Sequence, residues 1–219
     1  MSKQLPASFS MSDGDGDLIA AQPDFDSQSV SIASIYPKED LLLTVPSTES
    51  RPVLAITAIA PFQRYKQIVV TYAIHGRKGS SYVHALYREG TKVPIWEINS
   101  RNDKVCMHED SVVTYSSENQ REFEVLGASD GRVQERVKFV DDGVQRLCIV
   151  QPGIWAVARA NCQLVLFSIR DKILDEVSFA TQYPGWLELC LTRDPSRIVA
   201  LSAENHQGMN SYLSVFRVD

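Results

Sequence analysis

The sequence contains no apolar run long enough to cross a membrane, and its N-terminus lacks the apolar stretch of a secretory signal. A spanning helix needs about 20 consecutive apolar residues, so no membrane span is expected. The four cysteines form no CxxC pair, a usage typical of a reducing compartment. We therefore expect a cytoplasmic or nuclear protein.

Positive charge is sparse and scattered. The chain has 22 Lys and Arg residues against 27 Asp and Glu, a net charge of −5. Binding to a phosphate backbone needs a concentrated basic face, so nucleic acid is not expected to be a partner.

Motifs that carry chemistry are also missing. No GxSxG, HExxH or Cys–His arrangement occurs, and His75, His84, His108 and His206 share no spacing with a nucleophile or a second ligand. The sequence therefore predicts no catalytic residue, no metal site and no cofactor, and the protein is not expected to be an enzyme.

Residues 1–29 form an acidic, Ser-rich segment in which apolar residues are isolated. A segment of this composition buries too little apolar surface to fold, so we predict a disordered tail. Asp13, Asp15 and Asp17 alternate as in the start of a calcium loop, but Leu18 stands where that loop needs a turn glycine. Ser12 precedes these acidic residues in a weak kinase pattern.

From residue 30 onward, strand-like segments recur at a fixed interval. KVCMHED, RLCIVQP and ELCLTRD surround Cys106, Cys148 and Cys190, which stand 42 residues apart. An apolar run follows each, and with one earlier copy the aligned apolar positions are Ile68, Val112, Ile154 and Ile198. A third strand signal follows in each copy and a fourth in the first three, giving four short strands in about the length of one propeller blade, while the last copy lacks its outermost strand. A single four-stranded sheet cannot bury both faces, so the copies must stack against one another.

This pattern resembles a WD-repeat β-propeller. Where that family has Trp-Asp, this chain has Leu86-Tyr87, Leu126-Gly127, Phe167-Ser168 and Phe216-Arg217, and the Gly-His dipeptide is absent. The family's His–Asp hydrogen-bond network is therefore assigned to no residue. The resemblance implies an all-β fold, a propeller or partial propeller of about four four-stranded blades, within residues 30–219. The blades are expected at about 53–100, 104–141, 146–181 and 186–219.

Two arrangements remain open for the segment before the first full blade. Residues 41–45 could supply the outer strand of the last blade and close a ring of four. Alternatively, residues 30–45 could belong to a further blade of a larger propeller, completed by a partner, a second copy or residues not present here. An open ring would expose apolar faces and strand edges, which favours self-association or completion by a partner.

Two residue groups invite a functional interpretation. The equivalent cysteines predict small buried contacts and not a metal site, because facing sheets lie about 10 Å apart. The loop HGRKGSS, residues 75–81, is either a solvated hairpin loop or a small anion or phosphopeptide contact through Arg77 and Lys78.

By the resemblance, loops between blades and loops between second and third strands share one face of the propeller. That face is the predicted binding surface, because it combines Arg with aromatic residues, as interface hot spots do. Its residues are His75, Arg77, Lys78, Arg101, Asn102, Asn119, Tyr183, Trp186, Asn205 and His206. Alternatively, Tyr183 and Trp186 pack the seam between two blades.

The functional prediction is a protein–protein interaction module, a scaffold subunit of an intracellular complex whose partner the sequence does not identify. The alternative is a propeller enzyme or a small-ligand or carbohydrate-binding propeller, with its site at the mouth of the channel. Fold alone supports neither.

Overall fold

The structure is a computed structural model, and it describes the chain in segments. The described residues are 8–11, 18–24, 29–36, 40–46, 53–62, 66–76, 79–108, 111–116, 121–138, 143–151, 153–159, 163–168, 172–178, 186–191, 197–203 and 211–218. Within these ranges every regular element is a β-strand. No helix among them has the length and apolar character needed to cross a membrane.

The strands form five antiparallel sheets that follow one another along the chain. Sheet 1 contains β1 (Ser8–Met11), β2 (Leu18–Asp24), β3 (Ser29–Tyr36) and β4 (Asp40–Pro46). Sheet 2 contains β5 (Val53–Phe62), β6 (Gln67–Gly76), β7 (Gly79–Arg88) and β8 (Trp96–Ser100). Sheet 3 contains β9 (Lys104–His108), β10 (Ser111–Tyr115), β11 (Glu122–Gly127) and β12 (Val133–Lys138). Sheet 4 contains β13 (Val144–Gln151), β14 (Ile154–Arg159), β15 (Gln163–Ser168) and β16 (Lys172–Ser178). Sheet 5 contains β17 (Trp186–Leu191), β18 (Arg197–Ala203) and β19 (Ser211–Arg217).

Each sheet is a simple meander, and the sheets stack in chain order. The first strands contact their counterparts in the next sheet: β1 contacts β5, β5 contacts β9, β9 contacts β13, and β13 contacts β17. Cys106, Cys148 and Cys190 lie in β9, β13 and β17, the first strands of sheets 3 to 5. The predicted all-β fold with repeated four-stranded sheets is therefore confirmed.

Sheet 1 differs from what the composition of the N-terminal segment suggests. A disordered tail was expected over residues 1–29, but β1 and β2 lie within that range and pair from Ser8↔Ala21 to Met11↔Leu18. The short apolar stretch from Leu18 to Ala21 forms a strand because neighbouring strands supply its hydrogen-bond partners.

Residues 41–45 lie in β4, which pairs with β3 at the edge of sheet 1. No pairing between β4 and β19 occurs among the described residues. Within the described residues, residues 41–45 thus belong to the edge strand of sheet 1.

Each pair of neighbouring sheets buries its own apolar cluster, which we call a seam. Representative residues are Leu43 with Val70 between sheets 1 and 2, Val69 with Val112 between sheets 2 and 3, Val113 with Trp155 between sheets 3 and 4, and Ala156 with Ile198 between sheets 4 and 5. Consecutive residues Val69 and Val70 thus face opposite seams, as side chains alternate along a strand. Sheets 2 to 4 are therefore apolar on both faces.

The alternation also corrects the alignment of the repeats by one residue. Ile68, Val112 and Ile198 face the preceding sheet, and so does Trp155, whereas Ile154 faces the following one. The pairing of β13 with β14 shifts register between Ile149 and Gln151. A shift of one residue moves each later side chain to the other face, so Trp155 is the true equivalent.

The seam between sheets 2 and 3 contains a cross-sheet contact that fixes the two sheets relative to one another. Trp96, at the start of β8, donates its indole Nε1–H to the carbonyl oxygen of Ala128 at 2.7 Å. Its ring lies against Gly131, whose φ of 68° is in the left-handed region. A side chain at position 131 would meet the ring, because a Cβ there would lie 2.8 Å from its atoms.

Candidate functional site

The strand directions bring four of the predicted binding residues, His75, Arg101, Asn102 and Trp186, to one end of the sheets, which we call the loop end. In sheet 2, β6 and β8 run parallel, so Gly76 and Ser100 mark the same end of the sheet. Second strands end and third strands begin there in every sheet, and the connection from β8 to β9 leaves from it. These connections share one end because successive strands of a meander alternate in direction.

The structure describes only some of the ten predicted binding residues in detail. His75 lies in β6 and Trp186 is the first residue of β17. Arg101 and Asn102 lie between β8 and β9 and are fully described. The other six lie outside the described residues, namely Arg77, Lys78, Asn119, Tyr183, Asn205 and His206.

The connection from β8 to β9 is short, and hydrogen bonds to Ser100 and Thr114 fix its conformation. The backbone N–H of Asn102 donates to Ser100 Oγ at 3.0 Å, and its side-chain Nδ2 donates to Thr114 Oγ1 at 2.9 Å. Asn102 and Asp103 are buried, whereas Arg101 between Ser100 and Asn102 is exposed. The anchored loop therefore presents one guanidinium to solvent, and the side chain of Asn102 is occupied inside the fold.

Buried polar residues concentrate in the seam beneath this connection. Of the seven buried polar or charged residues in the described part of the chain, six lie here: Thr71, His84, Asn102, Asp103, Thr114 and Ser116. Thr71 Oγ1 and His84 Nδ1 are 2.8 Å apart, a hydrogen bond between β6 and β7. The seam is thus apolar around Val69 and Leu86, and polar toward the loop end.

His84 is the titratable group of this polar cluster. Burial disfavours the imidazolium and lowers the pKa of His84 from 6.5 to about 4, although the nearby Asp103 carboxylate acts to raise it. The ring is therefore neutral at physiological pH. Its Nε2 is buried with no hydrogen-bond partner among the described residues.

Sequence reasoning missed Thr71 and Thr114 although a signal for them exists. The tetrapeptide VVTY occurs at residues 69–72 and again at 112–115. Val69 and Val112 face each other in the seam between sheets 2 and 3, and the two threonines follow at the third position of each copy. Thr71 and Thr114 thus face the same seam from opposite sides. To recognise this from the sequence, one must know that the side chains of the two VVTY copies point toward opposite faces of their sheets.

Solved structures with the same arrangement establish the fold. The chain is similar to the β-propeller domain of Cps50 (Swd1) from Myceliophteria thermophila, with a TM-score of 0.62 at 10% identity over 93% of this chain and 64% of that one. The fold is that of a β-propeller.

Two further solved structures are similar to this chain at equally low sequence identity. Hsv2 from Kluyveromyces lactis matches with a TM-score of 0.54 and 12% identity over 96% of this chain and 72% of that one. Raptor from Chaetomium thermophilum matches with a TM-score of 0.64 and 10% identity over 97% of this chain and 19% of that one. No protein-family model and no curated protein matches the sequence.

In this propeller the four dipeptides that replace Trp-Asp all lie in third strands, β7, β11, β15 and β19. The connection between sheets 2 and 3 is held by Asn102 and Thr114, and neither belongs to such a dipeptide. This hydrogen bond between the two sheets therefore involves residues outside those dipeptides.

Within the described ranges, no group of three or more His, Cys, Asp or Glu side chains is positioned to bind a metal ion. Cys106 and Cys148 pack in two different seams. Because they contribute to separate apolar clusters, their side chains do not converge on one another.

Proposed function

We propose that this propeller is a protein-interaction module, a non-catalytic scaffold subunit of a complex in the cytosol or nucleus, and that it binds its partner at the loop end. The observation that carries the proposal is the exposed Arg101 on a connection anchored by Asn102. Arg is among the residues that dominate interface energetics. A loop already held in one conformation loses little entropy on binding.

The electrostatics of the connection support a polar, specific contact. Asp103 Oδ2 lies 3.6 Å from Lys104 Nζ, and both side chains are largely shielded from solvent. The guanidinium of Arg101 stays in solvent and presents five donors in a planar fork that suits carboxylates. The partner surface that suits Arg101 therefore carries acidic residues.

Affinity purification of the full chain from native cells, with partners quantified by mass spectrometry, tests the proposal. Arg101→Glu should lower partner recovery about 30-fold, as expected for a hot-spot Arg contributing about 2 kcal/mol. The matched control is Arg88→Glu, which makes the same charge change at an exposed residue at the opposite end of sheet 2. Equal recovery with both variants would refute binding at the loop end.

A further inference from the structure

An ordered turn presents apolar side chains to solvent at the end of sheet 2 opposite the loop end, which we call the turn end. The turn from β7 to β8 spans residues 89–95, and its counterparts in sheets 3 and 4 are shorter, at 128–132 and 169–171. Within this turn Val93 is 75% and Ile95 45% exposed. The longest of the three turns therefore places two aliphatic side chains in solvent.

Hydrogen bonds hold this turn in one conformation. The backbone N–H of Ile95 donates to the carbonyl oxygen of Leu86 at 2.7 Å. The backbone N–H and the hydroxyl of Thr91 both donate to the carbonyl oxygen of Arg88, at 3.1 Å and 2.8 Å. A segment that is already ordered in the free protein loses little conformational entropy on binding. The turn therefore presents Val93 and Ile95 in a defined arrangement.

Sheet 3 extends the apolar surface. Trp96 follows the turn and lies against Gly131, two residues before Val133. Val133 is 43% exposed and pairs with Leu126, whose side chain packs in the seam with sheet 2. Paired residues point to the same face of a sheet, so Val133 also faces sheet 2. The three exposed aliphatic residues, which we call the turn patch, are Val93, Ile95 and Val133.

Positive charge surrounds the turn patch, although the chain as a whole carries a net charge of −5. Residues 66, 88–95 and 128–133 contain two acidic residues, Glu89, which is half-buried, and Asp130, whose carboxylate lies 3.6 Å from the guanidinium of Arg132. A cationic rim on an acidic protein is complementary to a partner that carries carboxylates. The exposed cations of the rim are Lys66, Arg88, Lys92 and Arg132.

Two occupants from this chain itself match the turn patch less well. The acidic connection between β1 and β2, residues 12–17, contains no apolar residue, so it offers nothing to cover Val93 and Ile95. A second copy in a two-fold contact presents the same surface to itself. Such a contact opposes cation to cation, which is unfavourable.

We propose that the turn end of sheets 2 and 3 is an interaction surface for a peptide segment of a partner protein, in which an aliphatic or aromatic residue is flanked by Asp or Glu. The apolar residue packs on the turn patch, and the flanking carboxylates pair with Lys92 and Arg132. The surface lies at the opposite end of the sheets from Arg101, so it is independent of the contact proposed there.

Peptide selection on the purified full chain tests this proposal. A phage library of random linear peptides is selected on the unsubstituted chain and counter-selected on a chain that carries V93S and I95S. The selected peptides should contain an apolar residue with acidic neighbours. In fluorescence anisotropy, a synthetic copy should bind roughly a hundredfold more weakly to the double variant, about tenfold for each aliphatic side chain. I173S is the matched control and should leave the affinity unchanged, because Ile173 is 46% exposed on the outer strand β16 of sheet 4.

Several outcomes would overturn the proposal. Selected peptides without acidic residues, or an affinity that K92E with R132E leaves unchanged, would contradict the charge complementarity. A selection that yields no peptide dependent on Val93 and Ile95 would show that no external segment binds there. Sedimentation of the chain with phosphatidylserine vesicles, if abolished by V93S with I95S, would assign the turn patch to a membrane surface instead. Arg101→Glu should leave the peptide affinity unchanged, so this proposal and the one for the loop end fail separately.

Discussion

Replacing Gly131 with alanine tests how sheets 2 and 3 are held together. Gly131 has a φ of 68°, a conformation that costs an L-residue about 1 kcal/mol or more. A Cβ at this position would lie 2.8 Å from Cδ2 and Cε3 of Trp96. Both atoms belong to the rigid indole, so the ring or the turn must move.

The cost of that movement follows from what Trp96 does. The ring is buried in the seam between sheets 2 and 3, and its N–H donates to the carbonyl oxygen of Ala128. Overpacking a buried site costs about 1–3 kcal/mol, and loss of the hydrogen bond costs about 1 kcal/mol. We expect Gly131→Ala to lower the free energy of unfolding by about 3–5 kcal/mol in total.

Urea denaturation of the full chain, followed by tryptophan fluorescence, measures this change. Gly90→Ala is the matched control, because Gly90 has a φ of 74° but no atom within 4 Å of the added Cβ. The control should lose only the backbone contribution of about 1 kcal/mol. If Gly131→Ala destabilises the protein no more than Gly90→Ala does, the contact with Trp96 has been misjudged.

Two further predictions concern the polar cluster in the same seam. Because the pKa of His84 is lowered to about 4, the unfolded chain takes up its proton first, and stability present above pH 6.5 should be lost as the pH falls toward 4. The loss is about 3 kcal/mol. Urea denaturation at pH 7 and pH 4 should show this loss in the unsubstituted protein and not in His84→Gln. The same pH dependence of stability in both proteins would contradict the prediction. Asn102→Ala should cost about 1–3 kcal/mol, because it leaves the buried Thr114 hydroxyl unpaired. Thr114→Val in the same chain should recover part of that loss in thermal denaturation, whereas strictly additive effects would show that the bond contributes nothing.

The repeated sheets were predictable because their signal is local and periodic. The 42-residue interval of Cys106, Cys148 and Cys190 places them in β9, β13 and β17 as expected. An apolar run between turn residues specifies a strand wherever it occurs. Four such runs in succession specify a meander.

What escaped prediction depends on contacts between distant residues. The strands β1 and β2 are short and flanked by polar residues, and only pairing with neighbouring strands distinguishes them from a solvated tail. The one-residue offset between Ile154 and Trp155 arises from an irregular pairing in β13 and β14, which composition does not reveal.

The surroundings of the predicted binding residues were only partly predictable for the same reason. Asn102 and Arg101 are adjacent polar residues in one connection, and the sequence assigns both to the surface. Asn102 is buried because Thr114, in another sheet, accepts its hydrogen bond. Whether a polar residue between two strands is buried or exposed therefore cannot be predicted until the facing sheet is known.

The contact of each first strand with its counterpart in the next sheet has a consequence for changes in repeat number. In a linear array of nearest neighbours, deleting a terminal unit breaks one interface. Deleting an internal unit breaks two and forces together surfaces that never met before. Insertions and losses of whole units should therefore survive most readily at the two extremities, whereas the interior must change by substitution in matched pairs.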